Sequence, residues 1–89
     1  MLESKIESNS KKEAKKLGWW GIKLIPSLIK GLPDVMYIGH GKVVFIEYKT
    51  EKGKVTPKQL SIHNKFLTHG LKVHIARSVE QTIEILNNA

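Results

Sequence analysis

Apolar residues change their spacing along this chain, and each change marks a new element. Leu2, Ile6, Ala14 and Leu17 return after one or two helical turns, which predicts a first helix over residues 2–17, ended by Gly18. Glu3, Glu7 and Ser10 fall close to the same face, so carboxylates lie on the apolar stripe rather than opposite it. Trp19–Ile25 reads as a first strand. Pro26–Pro33 reads as a loop that could be mobile without substrate. Asp34–Ile38 and Lys42–Lys49 then form a hairpin across Gly39-His40-Gly41-Lys42. Val44 and Ile46 face one way while Val43 and Phe45 face the other, which predicts a strand covered on both sides. After the charged loop Thr50–Val55, Thr56-Pro57-Lys58-Gln59 has the capping-box pattern and opens a second helix that runs to about His69. Leu71–Ala76 is a short strand, and Ser78-Val79-Glu80-Gln81 is a second capping-box pattern that opens a last helix to about Asn87. The order α-β-β-β-α-β-α predicts an α/β layered sheet in a single domain over residues 1–89.

The longest apolar strand ends on charges. Val43-Val44-Phe45-Ile46 leads straight into Glu47-Tyr48-Lys49, and residues two apart on a strand share a face. A two-residue turn at His40-Gly41 pairs Gly39 with Lys42 and Ile38 with Val43, and in that register Asp34 falls opposite Glu47. A four-residue loop over 39–42 keeps the same pairing. Opposed carboxylates have Cβ atoms roughly 4.5–5.5 Å apart and repel each other. A bound cation reverses that sign; Mg²⁺ takes oxygens at about 2.1 Å, commonly from one or two carboxylates plus substrate phosphate and water. Lys49 lies one pleat further on, roughly 7 Å from Glu47. Asp34, Glu47 and Lys49 therefore suit one divalent metal and one phosphodiester. The plainer reading makes Asp34 a turn residue after Pro33 and Glu47–Lys49 a solvated strand end. The cross-strand register, the Gly31-Leu32-Pro33 lead-in and the following helix weigh against it.

Charge adds a partner. Fourteen Lys and one Arg against eight acids give a formal net charge of +7, which favours a polyanion, chiefly nucleic acid. Lysine suits phosphate contact better than bidentate base reading. Lys30, Lys52, Lys54 and Lys58 are expected to meet DNA phosphates, whereas Lys11, Lys12, Lys15 and Lys16 are in part a solvated helix face. The absence of Cys excludes disulfides and thiolate metal sites. No apolar run approaches the ~18 residues of a membrane span and the N-terminus is not signal-like, so a cytoplasmic protein is expected. A chain this short buries only about 60–65% of its unfolded surface, so dimerisation would help it.

Pro33-Asp34, Glu47-x-Lys49, Gln59 and Gly70-Leu71-Lys72-Val73 follow one another in an order that resembles the PD-(D/E)XK, restriction-endonuclease-like superfamily. More closely, the chain resembles the virus-type replication-repair nuclease (VRR-NUC) domain. The matching segments, which include Glu3–Gly18, Gly31–Asp34 and Val43–Lys49, cover nearly the whole chain. The resemblance implies a mixed central sheet flanked by helices and a Mg²⁺- or Mn²⁺-dependent endodeoxyribonuclease. It also implies a homodimer acting on branched DNA such as the Holliday junction, in phage replication, recombination or DNA repair. The thin first helix departs from the family pattern and leaves its contribution to the site open.

On this reading Asp34 is the principal metal ligand, Glu47 the second and the Tyr48 main-chain carbonyl a third. Lys49 orients or helps deprotonate the attacking water and stabilises charge in the transition state. Glu7 is the choice for a first-helix carboxylate, eleven residues before Gly18 as in archaeal Holliday-junction resolvases. Glu3, one turn earlier, is its rival, and a solvated glutamate is the plain alternative. Gln59 either reaches a metal-bound water or phosphate from the first turn of the second helix or serves as the capping partner of Thr56, two roles that can hold at different moments. His63 reads as a satisfied, partly buried histidine, His40 as a turn residue tolerating positive φ, and Trp19 and Trp20 as core and interface anchors. The competing functions are a non-catalytic DNA-binding module on the same fold and, less favoured in so short a chain, a sequence-specific restriction enzyme.

Overall fold

The computed structural model describes residues 2–25 and 29–89. Its elements are α1 (Glu3–Lys16), β1 (Trp20–Lys23), β2 (Val35–Gly39), β3 (Lys42–Tyr48), α2 (Pro57–Thr68), β4 (Val73–Ala76) and α3 (Val79–Asn87). This is the order that the hydrophobic spacing predicts. The loop expectation at Pro26, Ser27 and Leu28 lies outside the described residues.

The hairpin turn sets the register of the sheet. His40 (φ 53°) and Gly41 (φ 74°) both adopt left-handed backbone, as a two-residue turn matched to strand twist requires. Gly39 then pairs with Lys42 and Val35 with Ile46, as expected. The sheet order is β1-β2-β3-β4. The first three strands are antiparallel and β4 runs parallel to β3, with α2 as the crossover, so the sheet is mixed.

Alternation along the strands builds two different faces. Val35, Tyr37, Val44, Ile46, Tyr48 and Ala76 are buried on the side covered by α1 and α3. There the Tyr37 and Tyr48 hydroxyls bond at 2.7 Å, and the Thr82 hydroxyl lies in hydrogen-bond contact with Tyr48 Oη at 3.1 Å and Ser10 Oγ at 3.0 Å, donating to one and accepting from the other. Burial drives both phenols well above their ordinary pKa, so both stay protonated and available for these bonds. On the other side α2 packs Phe66 edge-on against Phe45, with centroids 5.0 Å apart. Met36, Asp34 and Glu47 share this side by the pleat.

Several expectations need correction. The face α1 buries is Ile6, Glu7, Ser10 and Ala14, while Leu2 and Leu17 are exposed, because the hydroxyl set reaches Ser10 and nothing covers the helix ends. β3 is not covered along both sides: α2 shields Phe45, but Val43 is 47% exposed. The α2 capping box forms in full. At α3 only half of one forms: Ser78 Oγ accepts from the Gln81 amide, but Gln81 Oε1 takes the Arg77 N–H instead of the N-cap amide. Trp19 is a core residue, whereas Trp20 is 66% exposed. Among the described residues no helix is long and apolar enough to cross a membrane.

Candidate active site

One step beyond Val35↔Ile46, the β2–β3 register brings Asp34 opposite Glu47. Asp34 is held on both sides: its carbonyl accepts from the Leu24 amide at 2.8 Å, and its Oδ2 accepts from the Tyr48 amide at 2.7 Å. Pro33 before it is fully buried. Gly31 has φ +90°, and a Cβ there would lie 2.8 Å from the Lys58 carbonyl oxygen, so only glycine lets this segment close on the first turn of α2. Lys49 follows the end of β3, with its amide bonded to the Ala76 carbonyl at 3.1 Å, and its Nζ lies 3.8 Å from Glu47 Oε2. Glu47 is 1% exposed and Lys49 7%, so the charged strand end that looked solvent-compatible in isolation is interior.

α2 supplies the roof of the site. Gln59 caps the helix, as the plainer reading has it, and also contacts Glu47. Its Oε1 accepts from the Thr56 amide at 3.0 Å to complete the cap, while its Nε2 donates to Glu47 Oε2 at 3.0 Å. One turn later His63 is buried, but it is not the satisfied histidine expected. Among the described residues its Nε2 has no hydrogen-bond partner, and it lies 3.9 Å from Glu47 Oε1, which has none there either.

The electrostatics follow from this packing. Burial pushes Glu47 up to about 8, Asp34 adds to the rise, and Lys49 opposes it. Glu3 also raises Glu47, so the first turn of α1 lies within electrostatic reach of the pair. Burial lowers His63, with Lys49 adding to the effect and Asp34 opposing it. Asp34, Glu47 and the Tyr48 main chain are the oxygen donors that could hold a divalent cation here. Among the described residues no three His, Cys, Asp or Glu side chains converge into a protein-only metal cage. A cation at this place would take its other ligands from main chain, substrate and water, as Mg²⁺ commonly does.

The structure does not join Glu7 to the carboxylate pair. Glu7 is buried, but both its oxygens accept from Lys23 Nζ at 2.9 Å, with Lys11 Nζ 3.5 Å from Oε2. Lys30, Lys52, Lys54 and Lys58 are all exposed, the last three between β3 and the first turn of α2. His40 takes the positive φ expected of a turn residue, and its Nε2 also bonds the Leu17 carbonyl oxygen at 2.9 Å. One residue went unremarked in the sequence. Arg77 Nη1 donates to the carbonyls of Thr50 (2.7 Å), Glu51 (3.3 Å) and Gly53 (2.6 Å), and so clamps the loop that bears Lys52 and Lys54. Its signal was its singularity, as the one Arg among fourteen Lys.

No family model matches the chain. It is 31% identical over 77 residues to the "Putative nuclease p44" of Acyrthosiphon pisum secondary endosymbiont phage 1, across 85% of this chain and 83% of that protein. A solved structure described as a VRR_NUC domain superposes with a TM-score of 0.84 at 29% identity, covering 96% of this chain and 94% of that one. Whole-length sequence relationship and shared fold agree with the motif order, and the chain belongs to the VRR-NUC family of the restriction-endonuclease-like fold.

Proposed function

We propose that this chain is a Mg²⁺- or Mn²⁺-dependent endodeoxyribonuclease that cuts branched DNA, four-way junctions among its substrates, as a homodimer in the cytoplasm. The observation that carries the reading is the opposed Asp34–Glu47 pair with the buried Lys49 ammonium 3.8 Å from Glu47. The nuclease named among its relatives supports it. The residues fit a hard cation. Buried Glu47 meets half-buried Asp34, Glu47 Oε1 has no partner among the described residues, and a positive charge would offset the burial and the Asp34 charge that raise Glu47. Asp34, Glu47 Oε1 and the Tyr48 carbonyl are the groups that would hold it. When bound, the ion supplies Lewis-acid charge at the scissile phosphate.

The protein's own groups do the rest. Gln59 fixes the Glu47 carboxylate by its Oε2 and leaves Oε1 free. Lys49 orients the attacking water and carries positive charge toward the phosphorane-like transition state, from a position set by β3–β4 pairing before substrate arrives. Water attacks in line and leaves 5′-phosphate and 3′-hydroxyl ends. Lys30, Lys52, Lys54 and Lys58 hold the flanking phosphates. Symmetric cutting of a junction needs two sites, which a C₂ dimer provides. The row Trp20–Ile38–Val43, left partly exposed beyond α2, supports an interface between copies.

Purified protein is tested on labelled four-way junction, flap, single-stranded and linear duplex DNA, with Mg²⁺, Mn²⁺ or EDTA, beside Lys49→Ala. Metal-dependent paired nicks in the junction, absent in the variant, are expected. Tight junction binding with no cleavage under either metal would favour the non-catalytic module instead.

A further inference from the structure

Among the described residues, the buried side-chain nitrogens and oxygens without a hydrogen-bond partner are Glu47 Oε1 and His63 Nε2, and they face each other at 3.9 Å. An unpaired buried polar atom costs roughly 1–3 kcal/mol, so two together are expensive in a chain this small. Looseness does not explain them. Three contacts hold α2 in place: the Gln59–Glu47 hydrogen bond, the approach of Gly31 to Lys58, and the Phe45–Phe66 edge contact. Contact with DNA does not explain them either, because His63 is 9% exposed.

Their separation is informative. At 3.9 Å the two atoms lie just beyond direct hydrogen-bond range, so a small side-chain movement joins them. Gln59 and His63, one helical turn apart, thus address the two oxygens of a single carboxylate. We propose that His63 is a positioning residue for Glu47: from 3.9 Å its Nε2 backs Oε1, as Gln59 fixes Oε2, and so presets the carboxylate for its cation. The proposal rests on the metal-dependent reading above. Groups that orient a ligand from behind it commonly change metal affinity 10–100-fold when removed.

The test is Mn²⁺ binding by DNA-free protein, followed by loss of the free-ion EPR signal, for the wild type, His63→Leu, His63→Gln and Asp34→Asn, with a thermal melt of each in EDTA. His63→Leu should bind Mn²⁺ roughly 10–100-fold more weakly. His63→Gln, which keeps a side-chain N–H at similar reach, should recover most of that loss, and neither should melt lower than the wild type. Wild-type affinity in His63→Leu, with binding lost in Asp34→Asn, overturns the proposal and leaves the metal site standing. Loss of affinity together with a lower melting temperature, unrestored by glutamine, makes His63 merely structural and also overturns it. No Mn²⁺ binding by the wild type overturns both readings.

Discussion

On the α1/α3 side of the sheet, Ser10, Tyr37, Tyr48 and Thr82 bury their hydroxyls and bond them to one another. On the α2 side, Glu47, Lys49 and His63 are buried too, but Asp34 opposes Glu47 and helps to raise it, and two polar atoms have no partner among the described residues. The first arrangement closes on itself and contributes stability. The second closes only around something brought from outside, and until then it costs stability. Proteins commonly keep such incomplete polar sites where they bind or react, and give up some folding free energy to do so.

The largest effect should come from breaking the incomplete side. Asp34→Asn is expected to reduce junction cleavage at least ~10³-fold, about 4 kcal/mol of barrier, without lowering the melting temperature of the metal-free protein. A variant that melts lower and still cuts would reverse the roles assigned to the two faces.

Titration of Glu47 sharpens the contrast next. Its folded pKa lies near 8, above the ordinary 4.5, so the folded protein holds more protons than the unfolded chain between those values. Stability of the metal-free protein should therefore fall as pH rises through that window, by an amount on the order of a few kcal/mol. Urea denaturation at pH 5, 6.5 and 8 measures the slope. Glu47→Gln should flatten it, and Mn²⁺ should offset it in the wild type.

Thr82→Val acts on the opposite face and should act oppositely. It leaves Ser10 and Tyr48 each short of a hydrogen-bond partner, at a cost of about 1–3 kcal/mol in urea denaturation, while cleavage stays at the wild-type rate. Lost activity at unchanged stability would show that the two faces are coupled. The smallest change is expected for Arg77→Lys, which keeps the charge but not the Nη1 group that bonds the carbonyls of Thr50, Glu51 and Gly53. Losing about 1 kcal/mol of loop order should raise KM for junction DNA roughly fivefold with kcat kept, as steady-state kinetics would show.

The hairpin explains why so much of the site was legible. A two-residue turn at His40-Gly41 admits one register, and that register sets Asp34 against Glu47 whatever surrounds them. The α2 cap was equally local, since Thr56 and Gln59 are three residues apart. What was not legible depended on distant chain. Ser10 reads as a helix-weakening residue until Thr82, 72 positions away, bonds with it. Glu7 looked free for the site until Lys23 came from the next strand to hold it.

The sequence by itself determined the element order, the strand register and the alignment of Asp34, Glu47 and Lys49, because turn geometry, period and capping are set by residues within a few positions of one another. Tertiary structure alone decided that Glu47 and Lys49 are interior, that Gln59 both caps its helix and holds Glu47, that Glu7 belongs to Lys23, and that His63 faces an unpaired carboxylate oxygen. Burial and long-range partners depend on which helix lies over which face of the sheet, and no short stretch of sequence records that packing.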